Sequence, residues 1–163
     1  MSERSDALAE RIERGAETLA AFAEGLSDAQ WQTIVPNDQR TVAVLVHHVA
    51  SVYPIEIDLA KAIASGNPIT DVTWDVINQM NADHAQGHPS ISKQETLQLL
   101  RNNSKAAADR VRAFSDADLD NAVAISLYAH APLTAQFFIE DHALRHSFYH
   151  LANIQTVLNA ETH

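Results

Sequence analysis

Apolar and polar positions along this chain alternate with the period of a helix. Leu8, Ile12, Leu19, Phe22 and Ala23 recur near helical spacing with Glu and Arg between them, which predicts a first helix from about Ser5 to Glu24, ended by Gly25 and the Ser27-Asp28 pair. A connector from Trp31 to Asp38 carries the turn-forming run Pro36-Asn37-Asp38. A second helix is expected from near Thr41 to Ala64, stopped by Ser65-Gly66-Asn67-Pro68 and kinked or divided at Pro54. A shorter one follows from about Trp74 to Gln86, ended by Gly87-His88-Pro89. The next opens at Ser92, with Glu95 three residues on as the partner of a capping box, and reaches about Phe114. Ser115-Asp116-Ala117-Asp118 reads as a turn. The last helix is expected to start with Pro132 in its first turn and to run to about Asn159.

Four long amphipathic helices and one shorter one make the expected class all-α, a four-helix bundle with one short additional helix. Length and composition agree. The chain has 163 residues, of which 46% are hydrophobic, enough for one core and one domain over residues 1–163. Four Gly and five Pro leave little material for the many turns of a β fold. The net charge is −10, and the 11 Lys and Arg are scattered, so the chain lacks the basic footprint of a nucleic-acid or anionic-membrane binder. There is no uninterrupted 18-residue apolar run, and the opening MSERSDALAERIERG lacks a secretory apolar segment, so a cytoplasmic location is expected. Cysteine is absent. A metal site here must use imidazole, carboxylate, carbonyl or water, a donor set suited to Zn²⁺ or Ni²⁺ first and then Fe²⁺ or Mn²⁺.

Histidine spacing supplies the candidate chemistry. His142, His146 and His150 follow one another at four-residue intervals on an unbroken helical stretch, the spacing at which two imidazoles on successive turns reach one ion. At 100° per residue, the bisector of His146 and His150 lies within about 40° of Ala135, Ile139, Ala143, Asn153 and Val157, a mostly apolar stripe. His142 lies to one side, nearer Phe138, Tyr149 and Asn153. On the second helix, His48 shares a face with Leu45, Val52, Ile55 and Leu59, whereas His47 aligns with Ser51, Pro54 and Asp58. The expected metal ligands are therefore His48, His146 and His150, one from one helix and two from a facing helix, with coordination positions left open. His84 and His88 have the same spacing but are expected to be separated by a helix end at Gly87 and Pro89. The competing reading of all these residues is ordinary hydrogen-bonded core histidine.

These same stretches carry a family resemblance. HSFYHLANI, His146 to Ile154, resembles the H-x-x-x-H stretch in the final helix of the DinB/YfiT superfamily, and RTVAVLVHHVA, Arg40 to Ala50, resembles its second-helix pattern, with His48 at the histidine position. The Trp74 segment and SDADLD extend the likeness over nearly the whole chain. Leu151 and Ala152 stand where Arg-Gly is common in the family. The resemblance implies a four-helix bundle, commonly dimeric, with one divalent ion on a histidine triad, and in some members thiol-dependent transfer using mycothiol or bacillithiol.

Three functional classes follow. The first is a metal-dependent enzyme acting on a small molecule, either an S-transferase with a low-molecular-weight thiol cosubstrate or a hydrolase for which Asp83, His84, His130 or Tyr149 would be the general base. The second is a non-catalytic metal-binding or stress-related ligand-binding protein, and the third is a helical dimerisation module. Phe137, Leu144, Phe148 and Leu151 lie about 180° from the histidine stripe, and an apolar second face points to a homodimer.

Overall fold

Capping side chains set where most of the helices begin. In the computed structural model, which describes residues 2–161, the Ser2 Oγ accepts a hydrogen bond from the Ser5 backbone N–H and opens α1 (Glu3–Glu24). This helix buries Leu8, Ile12, Ala16 and Leu19 along one stripe and ends at Gly25. Ser27 and Gln30 then form a capping box that turns the expected connector into a short helix, α2 (Asp28–Trp31). Strands β1 (Ile34–Val35) and β2 (Arg40–Thr41) pair antiparallel around the Pro36 turn, and Thr41 caps α3 (Val42–Ala64).

Helix α3 runs unbroken through Pro54, so the expected division there does not occur. A proline has no N–H to give the carbonyl four residues back, and the Asn103 side chain donates to that Ala50 carbonyl at 2.8 Å instead. Gly66, at φ +80°, closes the helix: its N–H reaches the Ile63 carbonyl and the Asn67 N–H reaches Ala62. By length and composition α3 is apolar enough to cross a membrane, with a mean hydropathy of 1.3, but 61% of that stretch is buried inside the protein, as befits a central core helix.

The remaining elements are α4 (Trp74–Gly87), which has no fully buried residue, and α5 (Lys93–Arg112), where Ser92 accepts from the Glu95 N–H as the first half of the expected box. A capping box between Ser115 and Asp118 makes the expected turn a short helix, α6 (Asp116–Asp120). The predicted start of the last helix is also corrected. Pro132 lies in β4 (Ala131–Thr134), opposite Ala124 of β3 (Ala122–Ile125), and Thr134 caps α7 (Ala135–Ile139). A π-helical turn, Glu140–Leu144, connects α7 to α8 (Arg145–Glu161).

The bundle consists of α1, α3, α5 and the α7–α8 run, with α5 packed along α1 and α3, and α8 against α1 and α3. The expected all-α four-helix bundle is the fold, with α4 as the extra helix and two small strand pairs at its connections.

Candidate metal centre

Helices α3 and α8 bring His48, His146 and His150 together. One nitrogen from each ring lies within 4.8 Å of the other two. His48 and His150 are buried, 5% and 4% exposed, while His146 stands at the edge of the core with 22% of its side chain exposed. The Nε2 atoms of His48 and His146 are 3.1 Å apart. Tetrahedral metal–nitrogen bonds of about 2.1 Å would set neighbouring ligand atoms roughly 3.4 Å apart, so this pair is spaced as two ligands of one ion would be. Between the helices, the Tyr53 hydroxyl and Ser147 Oγ share a buried hydrogen bond of 2.7 Å.

Glu56 lies behind the triad, 7% exposed, and its Oε1 accepts a hydrogen bond of 2.9 Å from His146 Nδ1. That bond puts the His146 proton on Nδ1 and leaves the Nε2 lone pair facing the cluster, the arrangement by which a carboxylate orients a metal-binding imidazole. Burial, together with the charge of neighbouring rings and Arg40, pushes the His48 imidazole down to about 2. His150 is pushed down to about 2 as well, again chiefly by burial. Both rings are neutral at pH 7, as ligands must be. His150 Nδ1 and Glu56 Oε2 are buried with no hydrogen-bond partner in the protein. Buried polar atoms are normally satisfied, so this donor set fits a bound cation.

Of the residues expected to share the histidine stripe, Ala135, Ile139 and Ala143 are buried, but the stripe shifts within α8. The buried stripe of α8 is Ser147, His150, Leu151, Ile154 and Leu158, and Asn153 and Val157 are only half-buried. The α3 face is likewise rotated from the one expected: Ile55 is exposed, and Tyr53, Glu56, Ile57 and Ala60 are buried. Glu56 and Tyr53 were not identified from the sequence, although a single acid in phase with Ile57 and Ala60 is the signal that marks them. His142 does not join the triad. Its ring stacks on Phe138 with centroids 4.2 Å apart, and its Nε2 is 2.7 Å from the Tyr128 hydroxyl, which also bonds Asp141. Burial and the Asp141 carboxylate raise the Tyr128 phenol above its usual range.

A second histidine group stands beside the first. His47, His84 and His88 also bring three ring nitrogens within 4.8 Å of one another, with His84 in the last turn of α4 and His88 as the residue that caps it. The helix does end between them, with Gly87 as its last residue, but that end does not separate the pair as expected: the two rings stack with centroids 4.5 Å apart. Burial lowers His84 to about 4, with His88 and His47 adding to the shift. Of the other residues considered as a base, Tyr149 touches His150 edge-on, its centroid 5.3 Å away; Asp83 is exposed and bonded to Gln79; and His130 is exposed in the turn between β3 and β4.

A helical bundle with histidines from its second and last long helices facing one another is the class that this fold and site define. The chain belongs to the DinB superfamily, whose family model matches residues 11–154. A solved structure described as "YfiT from Bacillus subtilis is a probable metal-dependent hydrolase with an unusual four-helix bundle topology" superposes with a TM-score of 0.76 at 17% identity, covering 99% of this chain and 90% of that one. At that identity the likeness is one of fold. No curated protein matches the sequence.

Proposed function

We propose that this protein is a divalent-metal-dependent enzyme acting on small molecules, one DinB-like domain over residues 1–163 in which His48, His146 and His150 hold the ion. The observation that carries this reading is the convergence of three imidazoles, two of them buried and neutral, with Glu56 orienting the third. Imidazole-only donors favour Zn²⁺ or Ni²⁺, then Fe²⁺ or Mn²⁺. A divalent ion there supplies Lewis acidity that favours the ionised form of a thiol or of water at neutral pH.

The chain's own residues provide the rest. Glu56 fixes the His146 tautomer, the Tyr53–Ser147 bond holds α3 and α8 in register, and Tyr149 borders His150. The first reaction proposed is S-transfer from a low-molecular-weight thiol of the mycothiol or bacillithiol type to an electrophilic small molecule. The absence of cysteine is consistent with a sulfur supplied by a cosubstrate. The second is hydrolysis, favoured by the description of the Bacillus subtilis YfiT structure. A homodimer is part of the proposal, through the second apolar face expected from Phe137, Leu144, Phe148 and Leu151; Phe137 and Phe148 are exposed there and Leu144 is half-buried, whereas Leu151 is buried in the chain's own core.

Elemental analysis of untagged protein, repeated on His146→Ala, tests the site. Loss of one equivalent of metal is expected, and unchanged metal content overturns the assignment. Turnover that needs both metal and thiol supports S-transfer, ester or amide turnover without thiol supports hydrolysis, and metal binding without turnover on either panel supports the non-catalytic ligand-binding class. A mass near the monomer's 17.9 kDa by light scattering would remove the dimer.

A further inference from the structure

We propose that His47, His84 and His88 form a second divalent-cation site, distinct from and adjacent to the one on His48, His146 and His150. Three imidazoles from two separate helices converge there: His47 from α3, His84 from the last turn of α4, and His88 as the residue that caps it. Their ring centroids lie 4.5 to 5.0 Å apart.

The hydrogen bonds around the rings leave nitrogens free for a cation. His88 Nδ1 donates to the His84 carbonyl at 2.7 Å, which puts its proton on Nδ1 and its lone pair on Nε2. A backbone carbonyl in that position orients a metal-binding imidazole as a carboxylate does. Ser51 Oγ lies 3.2 Å from His47 Nδ1, but its hydrogen goes to the His47 carbonyl at 2.7 Å, so it does not compete for that lone pair. His47 Nδ1 and His84 Nε2 face each other at 2.8 Å, and His84 Nδ1 is buried with no partner in the protein. A set of three imidazole donors selects the borderline divalent cations Zn²⁺, Ni²⁺ and Cu²⁺ over Mg²⁺ or Ca²⁺.

Access and position give the site its meaning. His88 lines a cavity of about 240 Å³ together with Arg40, Thr41, Val44, Pro89 and Ile91, so this triad has an approach from outside. The rings of His48 and His84 are 5.7 Å apart between centroids, which places the two triads side by side on successive residues of α3. The assignment does not depend on the first site.

The test is metal stoichiometry of the untagged full chain, stripped and then dialysed against Zn²⁺ in buffer free of imidazole. Two ions per chain are expected for the wild type, and one for the double variant His84→Gln, His88→Gln and one for His146→Ala. Two ions in the double variant, or a single wild-type ion that the double variant keeps, overturns the second site and leaves the three rings as a hydrogen-bonded stack. A single wild-type ion lost in the double variant and kept in His146→Ala supports this site while removing the other. Since α4 has no fully buried residue, the double variant should keep its helix content by circular dichroism. His88→Gln alone, at the helix cap, provides a milder check and should weaken binding of the second ion at least tenfold.

Discussion

The two histidine triads take successive residues of α3, His47 and His48, yet they are built on different ground. The His48 triad spans two core helices, is backed by the buried Glu56, and is braced by the Tyr53–Ser147 bond. The His47 triad depends on α4, which has no fully buried residue, and its orienting bond comes from a backbone carbonyl at a helix end. Donor type alone does not separate them, since both are imidazole-only. What differs is the cost of moving a ligand: a shift of His150 disturbs the core, whereas His88 moves with a surface helix. The inner triad should behave as a preorganised site and the outer one as an adaptable one.

Removing an inner ligand should have the largest effect. With Zn²⁺ at a thousandfold excess over its dissociation constant, binding to the folded state alone adds about 4 kcal/mol, or roughly 10 °C in thermal midpoint for a chain of this size. In His150→Ala most of that rise should vanish in a thermal-shift titration. In the His84→Gln, His88→Gln variant the part owed to the inner ion should persist.

Acidification of the metal-free protein comes next. His48 and His150 are pushed down to about 2 in the fold, against roughly 6.5 in an unfolded chain. The unfolded state therefore takes up protons that the folded state refuses, and stability present above about pH 6.5 is lost as the pH falls below it. At pH 5.5 the loss is on the order of 1 kcal/mol for each ring. A thermal midpoint that stays level or climbs between pH 7.5 and pH 5.5 would refute this, and His150→Leu should flatten the slope.

Glu56→Gln should weaken the inner ion by 10- to 100-fold while leaving the outer one unchanged, as read by competition with a chromogenic chelator. An equal loss at both sites would mean that the two triads are not independent. The smallest effect expected is that of His88→Gln on the metal-free protein, within about 0.5 kcal/mol of wild type in a urea melt, because the residue caps a helix with no fully buried position. A larger loss would show that α4 contributes to the core.

Most of the helices and the inner triad were legible in the sequence because local signals carry them. Thr41 and Ser92 mark helix starts, Gly25 and Gly66 mark ends, and His146 and His150 declare themselves by spacing within one helix. What was not legible depends on partners distant in sequence. Pro54 was expected to kink or divide α3, and the donor that keeps the helix unbroken is Asn103 on another helix. Pro132 looked like a helix start and instead pairs in a strand with Ala124. His84 and His88 looked separated by the helix end at Gly87, and the helix does end there, but the His88 ring folds back to bond the His84 carbonyl and stack on its ring. Helical phase at 100° per residue correctly placed Ala135, Ile139 and Ala143 in the core but also put Asn153 and Val157 there, which are only half-buried, because which side of α8 is covered depends on the helices packed against it.

That wider turn, Glu140–Leu144, accommodates about one residue more than a regular helix would over the same rise. Deleting a single residue there would rewind the stretch as regular α-helix and leave Arg145 onward nearly in place, whereas deleting one between His146 and His150 would turn the second imidazole by about 100° from the first. The wider turn is thus the place where this helix should tolerate loss of a residue and keep His146 and His150 facing α3.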